Sequence, residues 1–404
     1  MENLTSTKLQ TQLNNLGLSH TFSNTSGIVE FYCGNYVLGL EKFIKKYAPF
    51  SKIALASSNL SFELIGKKII DAIKSFDSKV ISLVLEEQTQ NTIENFSLLF
   101  DFPEDVRLIV VMDQKLYSYA FYYANIKNIP VVILPIDYNL EGLFDTNVDL
   151  LINGKIDSIQ LMVNKSIILD TSFPINYYDL FLSFYSNYAN YFDNLITESF
   201  LDIKSRKSYE DFHQCISNFL DLNFANIENN KEDFIYNIIL IQLQYSKLFR
   251  SSSSKIVNLI AKIMDENNGE TKLQIFNFLI QLFYSIKDYK EIIKELDYKD
   301  IALFCKNYKL NMGYVLDSNV NFLEIFENNF NNISKVVELL NERTNNLIEI
   351  NSKFKKASKA LTSNTNKSVK NFEKIKKSVS LASIYPKNFN SLTLLKCLGI
   401  IDNV

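Results

Sequence analysis

The chain has 404 residues, 47% of them hydrophobic, which is enough to bury a large core and makes two domains the default expectation. Its 42 basic and 45 acidic residues leave a net charge of −3, which removes any global attraction to nucleic acid or to an anionic membrane. Four dispersed cysteines without a CxxC pattern, a polar opening segment and no apolar run of membrane length set the expectation of a reduced cytoplasmic protein.

Residues 1–26 form a polar lead-in, with a short helix predicted over 7–15. Strand patterns follow at 28–33, at 52–57 (KIALAS) and at 79–85 (KVISLVL), separated by amphipathic helices at 37–47 and 62–75. In the second helix Leu64, Ile65, Ile69, Ile70 and Ile73 share one face. A further helix is expected at 92–99. The most telling stretch is 105–142. It holds an apolar run at 106–112, a helix-like segment at 116–127 without Pro or Gly, and a second apolar run at 129–134 closed by Pro135. Buried strand, crossover helix and buried strand make a βαβ unit. Two shorter strands at 148–152 and 166–170 complete the pattern, and this alternation predicts a parallel sheet with helices on both faces.

After Pro174 the periodicity turns helical and stays so, with helix boundaries predicted at 251–254 and 266–269. The expected architecture is a Rossmann-like α/β domain over 1–172 and an all-helical domain over 173–404. Tyr117, Tyr119, Tyr122 and Tyr123, and likewise Tyr178, Tyr185, Tyr188 and Tyr191, read as core packing before they read as ligand contacts. The segment 353–377 carries nine lysines and one acid, Glu373. It reads as a solvated face, and apolar spacing at Val369, Phe372, Ile375 and Val379 predicts a helix over 369–380 with its outer face in solvent. No P-loop, HExxH, GxSxG or paired metal-binding cysteines occur.

In nucleotide-binding βαβ units the turn after the first strand is normally glycine-rich, so that bare N–H groups approach phosphate at the helix N-terminus. Here the turn is Met112-Asp113-Gln114-Lys115. It carries β-carbons and a carboxylate where phosphate charge would sit, and Lys115 alone does not replace a nest of backbone donors.

The second strand and its exit, IPVVILPIDYNLEG over 129–142, resemble the "iPxxxxPTxxxxDG" segment of the iron-dependent alcohol dehydrogenase and dehydroquinate synthase superfamily, nearest its glycerol-1-phosphate and glycerol dehydrogenases. Pro130, Pro135 and Gly142 fall at matching places, while Ile136 and Glu141 stand for Thr and Asp. FYCGNYVLGLEKFIKKY, LIGKKIIDAI, YDLFLSFYSNYANYFD and NFNSLTLLKCLGIID are similar to further family segments in the same order, so the likeness runs nearly full length. The family's three cofactor glycines align with Met112, Asp113 and Gln114, and Lys115 follows. The resemblance implies cofactor-contacting positions there and at Asp137.

It also implies a divalent zinc or iron held by one Asp and two His in the helical domain, which polarises a substrate while hydride passes to or from NAD(P). Asp179 matches the aspartate. Lys255 and Asn268 stand at the histidine positions, and a lysine ammonium offers a metal no lone pair. The chain's only histidines are His20 and His213. Lys255 then either pairs with Asp179 in the ion's place or faces solvent. Three functions stay open: a pseudoenzyme without NAD or metal that acts by binding a small ligand or protein, an NAD(P)-dependent polyol or sugar-phosphate enzyme using Asp179 and Lys255, and a structural subunit supporting an active paralogue. Homo-oligomerisation is also open.

Overall fold

The computed structural model describes residues 7–16, 29–85, 105–144, 147–152, 155–203, 209–248, 256–264, 266, 269–288, 322–361, 372–383 and 390–403. The helix expected at 92–99 lies outside them, as do Lys255, Asn268 and His20. The chain divides into two compact units. Met1–Asn176 and Asn226–Arg250 form the first, and Tyr177–Ala225 and Ser251–Val404 form the second.

The first unit opens with helix α1 (Thr7–Asn14) and strand β1 (Val29–Cys33), followed by α2 (Tyr36–Tyr47) and β2 (Lys52–Ser58). Helix α3 has an opening turn Asn59–Ser61, a π-turn Phe62–Gly66 and a regular stretch Lys67–Lys74. Then come β3 (Lys79–Leu85), β4 (Val106–Val111), α4 (Tyr117–Lys127), β5 (Val131–Ile133), the pair β6 (Asn147–Ile152) and β7 (Lys155–Gln160), and β8 (Lys165–Leu169). Six strands form one sheet in the order β1-β8-β5-β4-β2-β3, and every pairing in it is parallel. The apolar runs predicted as buried strands are its centre: Ile53–Ala56, Leu108–Val111 and Val131–Ile133 are all inaccessible. Strand β6 does not join this sheet but pairs antiparallel with β7. The helix Lys231–Leu248 returns to this unit, where Asp233 pairs with Lys8 and the Glu232 carboxylate accepts from the Leu9 N–H.

From β2 the chain leaves through α3 toward β3, and from β4 it leaves through α4 toward β5. The connections therefore diverge between β2 and β4. In open parallel sheets the crevice beyond the carboxyl ends of such a strand pair is where ligands bind.

The second unit contains α5 (Tyr177–Phe200), α6 (Tyr209–Leu220), and then, numbering Lys231–Leu248 of the first unit as α7, α8 (Ile256–Ile263), α9 (Gly269–Ser285), α10 (Phe322–Asn329), α11 (Ile333–Leu361), α12 (Phe372–Ala382), α13 (Ser391–Cys397) and α14 (Ile400–Asn403). Helix α5 is buried almost all round, its polar Ser186, Asn190 and Asp193 as well as its aromatic residues. Phe181 and Tyr185 stack on Phe354 of α11, with ring centroids 5.4 and 4.2 Å apart. Tyr185, Tyr188 and Tyr191 are core residues, as are Tyr117, Tyr119 and Tyr123, while Tyr122 and Tyr178 of the same two sets are only partly buried. No helix among the described residues is long and apolar enough to cross a membrane.

Candidate functional site

At the divergence point, β4 ends and Met112 continues the ladder by donating its N–H to the Ala56 carbonyl. Met112 is buried, so its side chain belongs to the core and not to the crevice. Asp113 follows with extended backbone, and Gln114–Leu116 form a 3₁₀ turn that leads into α4. The Asp113 carboxylate reaches across to the start of α3. It accepts from the Ser58 N–H at 2.6 Å, the Ser58 hydroxyl at 2.9 Å and the Ser61 hydroxyl at 2.5 Å. Ser58 is itself the N-cap of α3, its Oγ accepting from the Ser61 N–H at 3.2 Å. A carboxylate at a helix N-terminus satisfies orphan donors and complements the dipole. The negative group at this position thus comes from the protein.

A second carboxylate stands nearby. Asp137 is exposed and accepts from the Asn139 N–H at 2.9 Å, closing a side-chain turn after β5. The buried Tyr117 hydroxyl donates to the Asn139 carbonyl at 3.4 Å. Burial first, and then the charges of Asp137 and Asp113, push its pKa well above the usual phenol range. Asp113, Asp137 and Tyr117 therefore share one electrostatic neighbourhood. Asp170 acts similarly at the next edge of the sheet, where it accepts from the Tyr36 N–H at the start of α2 at 2.8 Å.

In the second unit Asp179 lies in the first turn of α5. Its Oδ1 accepts from the Gly269 N–H, the first residue of α9, at 2.6 Å. A β-carbon at 269 would lie 2.4 Å from the Asp179 carbonyl oxygen, so glycine is what lets the two helices meet here. One turn into α9 sits Lys272, 2% exposed, with Nζ 3.2 Å from the Ser183 hydroxyl of α5. The cluster here is thus Asp179, Ser183, Gly269 and Lys272. Of these only Asp179 was singled out from the sequence. Ser183 was readable as the residue one turn beyond Asp179 on the same face. Lys272 carries no local signal, because its burial depends on α5.

These residues do not fit a divalent metal. One Asp179 oxygen is committed to a helix end, a lysine ammonium adds like charge, and no group of three His, Cys, Asp or Glu side chains among the described residues is arranged to hold an ion. The cradle at Asp113 does not fit a pyrophosphate either, since its donors are already taken.

The same stripe of α5 continues past Asp179. Asp179, Ser183, Ser186, Asn190, Asp193 and Thr197 follow spacings that place them on one arc of roughly 80° at 3.6 residues per turn. Asn190 Oδ1 accepts from the Val257 N–H at the start of α8 at 3.1 Å. Asp193 Oδ1 accepts from the Ser391 N–H at 3.0 Å and from the Ser391 hydroxyl at 2.5 Å, at the start of α13.

In the lysine-rich segment, Lys353 is tied to Asp221 and Ser217, and Lys374 to Glu266. Lys355, Lys356, Lys359 and Lys377 face solvent.

No family signature and no curated protein matches the chain by sequence. Comparison with solved structures does find relatives in shape. An iron-containing alcohol dehydrogenase superposes with a TM-score of 0.50 at 11% identity, covering 94% of this chain and 98% of that one. Glycerol dehydrogenase from Schizosaccharomyces pombe gives 0.47 at 12% identity, over 94% and 89% of the two chains. NADH-dependent butanol dehydrogenase A from Thermotoga maritima gives 0.48 at 12% identity, over 94% and 96%. At the level of fold, the resemblance read from the sequence holds: a parallel-sheet unit is followed by helices in the arrangement of an iron-containing alcohol dehydrogenase.

Proposed function

We propose that this chain keeps the fold of the iron-containing alcohol dehydrogenases but has given up their dinucleotide and metal chemistry, and acts by binding a small ligand or a protein. The observation that carries this reading is the Asp113 carboxylate, which accepts three hydrogen bonds at the N-terminus of α3, beside the point where the sheet connections diverge. A bound phosphate would have to displace that carboxylate and then face the charges of Asp113 and Asp137. The Asp179 cluster supports the same reading, because its carboxylate serves as a helix cap and the buried Lys272 brings a cation against Ser183, one turn along the same helix.

One observation favours a second reading. A lysine ammonium held against Ser183 in the helical unit is a positive group of the kind that stabilises a developing alkoxide without metal. An NAD(P)-dependent enzyme built on Asp179 and Lys272 would use it so.

Calorimetric titration of the full chain with NAD, NADP, NADH, zinc and ferrous iron separates the two. The expected result is no saturable heat with any of them. Stoichiometric dinucleotide binding without metal would overturn the first reading in favour of the second. Metal binding lost in Asp179→Asn would overturn both.

A further inference from the structure

A second group of titratable side chains lies in the helical unit, apart from Asp179. His213 on α6 is half-buried, with Nδ1 2.8 Å from the hydroxyl of Tyr188 on α5. Tyr188 is buried, which makes its hydroxyl a weaker acid, and with Nδ1 of His213 as the one polar partner of that hydroxyl among the described residues its proton points to the ring. Nδ1 must then accept, which leaves the proton of the neutral ring on Nε2. Three residues earlier on the same face of α6, Glu210 pairs with Nη2 of Arg343 on α11 at 2.7 Å. The Arg343 Nε is buried without a partner. The charged groups facing His213 are Glu210 on its own helix and Arg343, Glu349 and Lys353 on α11. From α5 it meets Tyr188, which stacks on Tyr191 at 5.0 Å and meets Phe192 edge-on at 5.4 Å.

We propose that His213 is the sensor of an acid-triggered switch in the helical unit, in which a proton on Nδ1 reverses the hydrogen bond with Tyr188 and draws Glu210 away from Arg343. A protonated Nδ1 can only donate. The Tyr188 proton must then find another acceptor among aromatic rings, and a buried hydroxyl does not lose its acceptor without consequence. The imidazolium also stands beside the Arg343 guanidinium. Glu210 is the mobile partner, since its side chain is 65% exposed and three residues from His213 on one helix, within reach of either cation. Acid thereby exchanges the Glu210–Arg343 bridge between α6 and α11 for a bridge within α6, and the joint between the two helices loosens. This inference is independent of whether the dinucleotide and metal chemistry is lost.

The sign follows from the surroundings. Burial lowers the His213 midpoint below its ordinary value of 6.5, Glu210 raises it and Arg343 lowers it, with a net downward shift. The unfolded chain therefore takes up this proton first. Stability is full above 6.5, falls as pH drops through that value, and levels off below the folded midpoint.

Proton NMR of the full chain tests this, because only two histidines contribute imidazole signals. The His213 ring is expected to titrate below 6.5, and Glu210→Gln to move its midpoint further down. The thermal midpoint of the native chain is expected to drop between about pH 7.5 and about pH 5.5, with the drop absent in His213→Asn, whose amide oxygen can still accept from Tyr188. A His213 midpoint at or above 6.5, or an unchanged acid response in His213→Asn, would overturn the switch. Should that variant not fold, an NMR midpoint that Glu210→Gln leaves in place overturns it equally.

Discussion

Asp113 decides what can approach the crest of the sheet. Its three accepted bonds link it to residues 55 and 52 positions earlier, so a change there is felt at both strand ends. Asp113→Gly should lower stability by about 1–2 kcal/mol in urea unfolding, the usual scale for a lost helix cap. The same change frees the Ser58 N–H and two hydroxyls, and weak binding of inorganic phosphate by calorimetry is the expected gain. A variant as stable as the parent and equally inert to phosphate would show that these bonds contribute little. Gly269 is the counterpart in the helical unit. A methyl group there meets a backbone carbonyl 2.4 Å away, which cannot turn aside as a side chain would. Gly269→Ala should cost roughly 2–4 kcal/mol, read as a lower urea midpoint at unchanged slope. The oddity of Asp113 was legible in the sequence, since a turn without glycine is a local fact. Its partners were not, because nothing near Ser58 announces a carboxylate arriving from another strand.

At the scale of elements, α5 joins the helical unit through polar groups as much as through its apolar surface. Three side chains on one stripe close the first turns of α8, α9 and α13. Asp193→Ala would strand both the Ser391 N–H and its hydroxyl inside the unit. The expected loss is about 2–3 kcal/mol, with faster amide exchange confined first to 391–397, while Asp193→Asn retains an acceptor and loses less. Uniform exchange across the unit would argue instead that α13 does not open on its own. The central strands were readable because a strand covered on both faces must be continuously apolar. Strand β7, KIDSIQ, was missed for the opposite reason: a two-stranded ribbon makes no such demand, and its residues look like loop. The π-turn in α3 likewise has no signature in its composition.

For the whole molecule, the ionisable groups point to a staged response to acid. His213 contributes below 6.5, as argued above. Glu266 is held below the ordinary value of 4.5, chiefly by a hydrogen bond from Lys374. Its stabilisation is present above 4.5 and fades as pH falls through its lowered midpoint, and the pair is exposed enough to contribute little alone. Urea midpoints measured across this range should decline in two stages, and the second alone should weaken in high salt. The broad division into a sheet-bearing half and a helical half was visible as a change of periodicity after Pro174. The homecoming of α7 was not, because its apolar residues are spread nearly all round the helix and fit either partner. That excursion has a consequence during synthesis. The sheet-bearing unit stays unfinished until the ribosome has released Leu248, by which time α5 and α6 of the other unit have already emerged. Nascent chains stalled shortly after 176 should remain open to protease along their strands, and those stalled well beyond 250 should resist it.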